Sequence, residues 1–135
     1  MLSDPIVLKD SAAADVTFSL LTNVTDQKSG QTTTVRTDIS RGPTEPRTLT
    51  IKTNVTGSGA NRVRRTSWLL SDTQLSVAGI PSTMTYQGSW VYPLNGEFAT
   101  SNLDDSICLG SDLVLTTASL AVDTTKRAAL LQGQA

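Results

Sequence analysis

Residues 56–68, TGSGANRVRRTSW, place Arg62, Arg64 and Arg65 within four positions, directly after a glycine-bearing tip. A guanidinium is planar, permanently charged and able to meet two phosphate oxygens at once, so this cluster suits holding phosphate rather than breaking bonds. Bond-breaking sites of the common kinds cannot be assembled here. The chain has no histidine and a single cysteine, Cys108, which excludes His/Cys metal centres, Ser-His-Asp triads and Cys-His pairs. Its carboxylates are not paired on any catalytic framework. No catalytic residue, metal ligand or cofactor is therefore expected.

The wider charge pattern sharpens the point. Arg47, Lys52, Arg62, Arg64 and Arg65 all fall in the segment Arg47–Ser71, which contains no acid, although the formal net charge of the whole chain is −1. Acids lie elsewhere, among them Asp104, Asp105 and Asp112. A near-neutral total thus conceals a basic surface set against an acidic one, the distribution expected where phosphate is held on one side. A charged hairpin also keeps a sheet edge from aggregating, and that reading competes with phosphate binding.

These residues need elements to position them. From residue 5 to about 92 the chain is rich in Thr, Val, Ser and Gly and alternates in short runs between turn residues, the pattern of an antiparallel sheet. Strands are predicted over Ile6–Leu8, Asp15–Leu21, Thr32–Asp38, Arg47–Thr56, Asn61–Leu70 and Thr83–Tyr92. In the fourth, Leu49, Ile51 and Val55 point one way and Thr48, Thr50, Lys52 and Asn54 the other. The last repeats this, with Met84, Tyr86, Trp90 and Tyr92 on one parity and Thr83, Thr85, Gln87 and Ser89 on the other. After Pro93 the texture becomes helical. Thr100 or Ser101 is expected to cap a helix with Asp104 and Asp105 in its first turn, and a second helix is expected from about Thr124 to Gln132, capped by Asp123. Strands followed by helices make an α+β fold in one domain, with the helices on the apolar face of the sheet and the polar face open.

At 135 residues the chain is about one domain long, and its 38% apolar content falls below the roughly 45–50% usual for globular domains. A core this thin favours oligomerisation. Trp68 and Trp90 are expected as core or interface anchors rather than stacking platforms. The lone thiol fits a reducing compartment, MLSDPIVLKD lacks the features of a signal peptide, and no segment approaches the roughly 20 apolar residues of a membrane span. A soluble, cytosolic chain without a membrane partner is expected.

Residues 92–115, YPLNGEFATSNLDDSICLGSDLVL, resemble the coat proteins of the single-stranded RNA bacteriophages, the leviviruses. In that family the last strand ends near a proline, here Pro93, and an F-A-T-like segment, here Phe98, Ala99 and Thr100, opens the long helix. The central hairpin, PRTLTIKTNVTGSGANRVRRTSW, is similar too, with a small-residue loop followed by Asn61-Arg62 and further basic residues. The resemblance implies a homodimer in which two chains pair edge to edge into one sheet and each chain's helices grip the partner. It further implies an icosahedral shell around genomic single-stranded RNA, assembled in the bacterial host cytoplasm, and a dimer that binds an RNA stem-loop as translational repressor. The polar sheet face is the RNA face of that architecture. Carried over by strand parity, its RNA-facing positions are Thr50, Lys52 and Asn54 on one strand and Thr85 and Gln87 on the last. On the strand between, Arg62, Arg64 and Thr66 face RNA if Trp68 shares their face, whereas Asn61, Arg65 and Ser67 do so if the register is shifted. The first set is preferred because it points Val63 and Leu69 toward the helices. The chain departs from familiar members in lacking an aromatic on the RNA-facing parity of its last strand. The rival assignment is a β-rich adhesion or phage decoration module without RNA binding.

Overall fold

The computed structural model describes residues 4–10, 12–96 and 98–112. Six antiparallel strands follow one another in the sheet in chain order: β1 (Ile6–Lys9), β2 (Asp15–Thr25), β3 (Thr32–Asp38), β4 (Arg47–Thr56), β5 (Val63–Leu75) and β6 (Pro81–Pro93). One helix among the described residues, α1 (Thr100–Asp112), follows. The second helix expected near Thr124–Gln132 lies outside them. The described residues gather into two compact units, one of residues 4–8 with Val16–Asn95, the other of Lys9–Asp15 with the described residues between Gly96 and Asp112.

Four strands are longer than their sequence patterns predicted, β1 by the single residue Lys9. β2 continues through Asn23, Val24 and Thr25 by pairing with Thr34, Thr33 and Thr32, after a bulge between Leu20 and Thr22 absorbs one residue. β5 and β6 pair over thirteen positions, from Val63 with Pro93 to Leu75 with Pro81, so their connection shrinks to residues 76–80. Three local hydrogen bonds close that connection, from the Ser76 amide to the Ile80 carbonyl, from the Gly79 amide to the Ser76 carbonyl and from the Ile80 amide to the Ser76 hydroxyl. The β2–β3 turn is held by Asp26, which accepts from the Ser29 hydroxyl and the Lys28 amide; those donors hold its carboxyl below the usual carboxylate range.

The tip between β4 and β5 depends on glycine. Gly57 has φ +87°, and a Cβ there would stand 2.3 Å from the Asn61 carbonyl oxygen. Any side chain would collide with the single 3-10 turn, Gly59–Asn61, that brings the chain back into β5.

Helix α1 starts differently from its predicted form. The Ala99 amide donates to the Asn102 side-chain oxygen at 2.9 Å, and the Asn102 amide donates to the Ala99 carbonyl, so the third helical residue reaches back to close the end. Asp104 and Asp105 then fall beyond the first turn, which carries no acid.

The core of the sheet unit is small. Phe18 and Leu49 are the fully buried hydrophobic residues among those described, and they share a face with an enclosed charge network. Arg36, 1% exposed, donates to Asp4 at 2.9 Å, while Arg47 donates through Nε to Asp72, with Nη2 ion-paired to the same carboxylate, and through Nη1 to Asp38 at 3.4 Å. Asp38 also accepts from the amide and hydroxyl of Ser40. Charges removed from water in this way are held by partners on three successive strands, β3, β4 and β5.

Candidate nucleic-acid interface

Side chains opposite one another in an antiparallel ladder share a face, so the pairing register assigns every position of β4, β5 and β6. One face carries five rungs: Thr48–Ser71–Thr85, Thr50–Leu69–Gln87, Lys52–Ser67–Ser89, Asn54–Arg65–Val91 and Thr56–Val63–Pro93. The other carries Arg47–Asp72–Met84, Leu49–Leu70–Tyr86, Ile51–Trp68–Gly88, Thr53–Thr66–Trp90 and Val55–Arg64–Tyr92. The alternation predicted for β4 and β6 holds in both strands.

The middle strand takes the alternative register. Trp68 lies against Ile51 and Gly88 on the apolar face, and its indole occupies the space above Gly88 so closely that a Cβ there would approach within 2.1 Å of the ring. Trp90 packs beside it, ring centroids 5.0 Å apart and planes inclined at 51°. Covering a tryptophan and Leu70 removes more apolar surface from water than covering Val63 and Leu69 would, so Val63 and Leu69 are left on the polar face.

Five of the eight expected positions, Thr50, Lys52, Asn54, Thr85 and Gln87, therefore stand together on the polar face. The other three stand elsewhere. Arg64 lies between Val55 and Tyr92 and Thr66 between Thr53 and Trp90, both on the opposite face. Arg62 precedes β5, at the end of the 3-10 turn, where its carbonyl accepts from the Leu94 amide. In their place the polar face gains Arg65, Ser67 and Ser89. Arg65 and Ser67 were the alternative set for this strand, whereas the third member of that set, Asn61, lies in the 3-10 turn rather than in β5.

Electrostatics separates the five basic residues of the acid-free segment. Arg47 is neutralised by Asp72 and Asp38. Among the described residues, Lys52, Arg62, Arg64 and Arg65 have no ion-pair partner. Lys52 and Arg65 are exposed on adjacent rungs of the polar face, roughly 7 Å apart along the sheet. Two open hollows meet beside Lys52, Ser67 and Ser89. One of 280 Å³ extends to Asn54, Arg65 and Gln31, and one of 730 Å³ extends to Thr50, Leu69 and Gln87. The face offers cationic, hydroxyl and amide donors and no carboxylate in its five rungs, a composition suited to phosphate and sugar oxygens. Among the described residues no His/Cys/Asp/Glu cluster is able to hold a metal ion, and no helix is long and apolar enough to cross a membrane.

No protein-family model matches the sequence, and no curated protein matches it. Among solved structures, the chain superposes on a chain of the virus-like particle of Beihai levi-like virus 21 with a TM-score of 0.65, over 100% of this chain and 97% of that one, at 14% sequence identity. At that identity the likeness is one of fold, and on that ground the six-stranded meander followed by a helix is the fold of a chain from a levi-like virus particle.

Proposed function

We propose that the chain is a levivirus-type coat subunit that pairs with a second copy, assembles into an icosahedral shell in a bacterial host and encloses single-stranded RNA against its polar sheet face. The observation that carries this reading is the whole-length likeness of fold to a chain of a virus-like particle. Three features of the chain support it.

The hydrophobic core is thin, with Phe18 and Leu49 its fully buried members among the described residues, as befits a subunit completed by a partner. Strand β6 is the terminal strand of the sheet, thirteen residues long, with one edge unpaired among the described residues and with Met84 and Tyr86 exposed at 67% and 56%. A long, exposed edge of this kind is a template for strand addition, and pairing two β6 edges would continue the sheet into a second copy. The helices expected from the resemblance would then grip the partner. Finally, Lys52 and Arg65 stand among hydroxyl and amide groups with no ion-pair partner among the described residues, as a phosphate-holding surface requires. Repression of translation by stem-loop binding is a separate property, because it needs one hairpin to be preferred over others.

Expression of the full chain alone tests the coat reading. It predicts large particles on size exclusion, absorbance at 260 nm that coelutes with protein, and closed shells of uniform diameter by electron microscopy. A small species free of nucleic acid would favour an adhesion or decoration module instead.

A further inference from the structure

Five of the chain's six aromatic residues lie in the strands of the sheet, and none of these five is on the polar face. Trp68, Trp90, Tyr86 and Tyr92 occupy the opposite face of β5 and β6, Phe18 pairs with Asp38 on that same opposite face, and Phe98 follows the sheet altogether. Sequence-specific recognition of single-stranded RNA splays bases out and stacks them on aromatic rings or guanidinium planes while reading their edges. This face presents one guanidinium, that of Arg65, one ammonium, that of Lys52, short hydroxyls, the amides of Asn54 and Gln87, and the aliphatic side chains of Val63, Leu69 and Val91, so it holds hydrogen-bonding groups but no aromatic ring on which a base could be stacked beside them.

We propose that the polar face is a base-indifferent phosphate track, in which Lys52 and Arg65 hold the RNA backbone and the hollow they share with Asn54, Ser67 and Ser89 admits sugar–phosphate of any sequence. The inference rests on the RNA-binding role proposed above and narrows it: the surface packages RNA without selecting a hairpin. Leu69 and Val91 are consistent with this, since an aliphatic surface adds contact area but has no donor or acceptor with which to tell one base from another. Lys52 and Arg65 gain from phosphate contact chiefly by releasing counterions, which makes the binding strongly salt-dependent and weakly sequence-dependent.

The test is filter binding of the purified full-length chain to uridine and cytidine homopolymers of equal length, together with selection from a pool of hairpins with randomised loops. Dissociation constants for the two homopolymers should agree within about threefold, and selection should enrich no single loop. Lys52→Ala with Arg65→Ala should weaken all RNAs alike and flatten the log–log salt dependence by about 1.4, two contacts at roughly 0.7 each for single strands. Arg65→Lys keeps the charge and removes the stacking plane, so the slope should remain as in the wild type. Preference for one RNA by more than about tenfold, an unchanged slope in the double alanine variant, or an Arg65→Lys variant as weak as Arg65→Ala would each overturn the track. Particles that carry RNA yet select one hairpin would overturn this inference and leave the coat reading standing. A chain that binds none of these RNAs and forms no particles would overturn both.

Discussion

The two faces of β4, β5 and β6 carry similar numbers of basic side chains and use them in opposite ways. On the aromatic face Arg47 lies under Asp72 and Asp38, and its charge is spent inside the molecule. On the polar face Lys52, five residues further along the same strand, has no acid within reach among the described residues. A cation becomes available to a partner only where the fold leaves it unpaired, and neither composition nor local density reveals which those are. The acid-free run Arg47–Ser71 ends one residue short of Asp72, the very group that claims Arg47.

The largest effect should come from the enclosed network. Arg47→Ala would leave Asp38, 1% exposed, and the nearly buried Asp72 without their shared cation, and loss of one partner from such a cluster typically destabilises by about 3–5 kcal/mol. Urea unfolding followed by tryptophan fluorescence measures it. A loss no greater than that of an exposed arginine such as Arg62→Ala would show that the two faces do not differ as described.

A smaller loss is expected at Gly88. Its alanine variant drives a methyl group into Trp68, which must move against Trp90, and overpacking of this kind costs about 1–3 kcal/mol. The same variant should alter the tryptophan near-ultraviolet dichroism, because the tilted pair is the chromophore disturbed. Normal stability with an unchanged spectrum would mean that Trp68 does not lie over Gly88, and the assignment of Arg65 to the opposite face would fail with it.

Much of this was legible in the sequence, and the limits have physical causes. β4 and β6 alternate cleanly, so their faces followed from period two alone. β5 reads VRRTSWLLSDTQL, with apolar residues on both parities, and only its partners decide between them. Gly88 opposite Trp68 is the deciding pair, a glycine whose use becomes evident once the neighbouring strand is in register. The expected caps, Thr100 and Ser101, fall inside α1, which begins at Thr100, and its end is closed by Asn102, whose side-chain oxygen accepts from the Ala99 amide. Extension of β5 and β6 to thirteen residues was hidden by the Ser and Thr content of their far ends, where Thr73 and Thr83 hydrogen-bond across the ladder at 2.8 Å.

The smallest predicted effect concerns neighbours. Arg64 and Arg65 are adjacent, both exposed, both without an ion-pair partner among the described residues, and indistinguishable in type. They differ in the face to which period two sends them: Arg65 stands beside Asn54 and Val91 on the polar face, Arg64 beside Val55 and Tyr92 on the other. If RNA lies on the polar face, Arg65→Ala should reduce the salt slope of binding by about 0.7, the value of one single-strand phosphate contact, whereas Arg64→Ala should leave it unchanged. Net charge falls by one in both variants, so long-range attraction weakens equally and cannot produce the difference. Equal reductions would instead place RNA around the hairpin tip, where Arg62, Arg64 and Arg65 all reach it. A reduction confined to Arg64→Ala would move the RNA to the tryptophan face and reverse the assignment of the two surfaces.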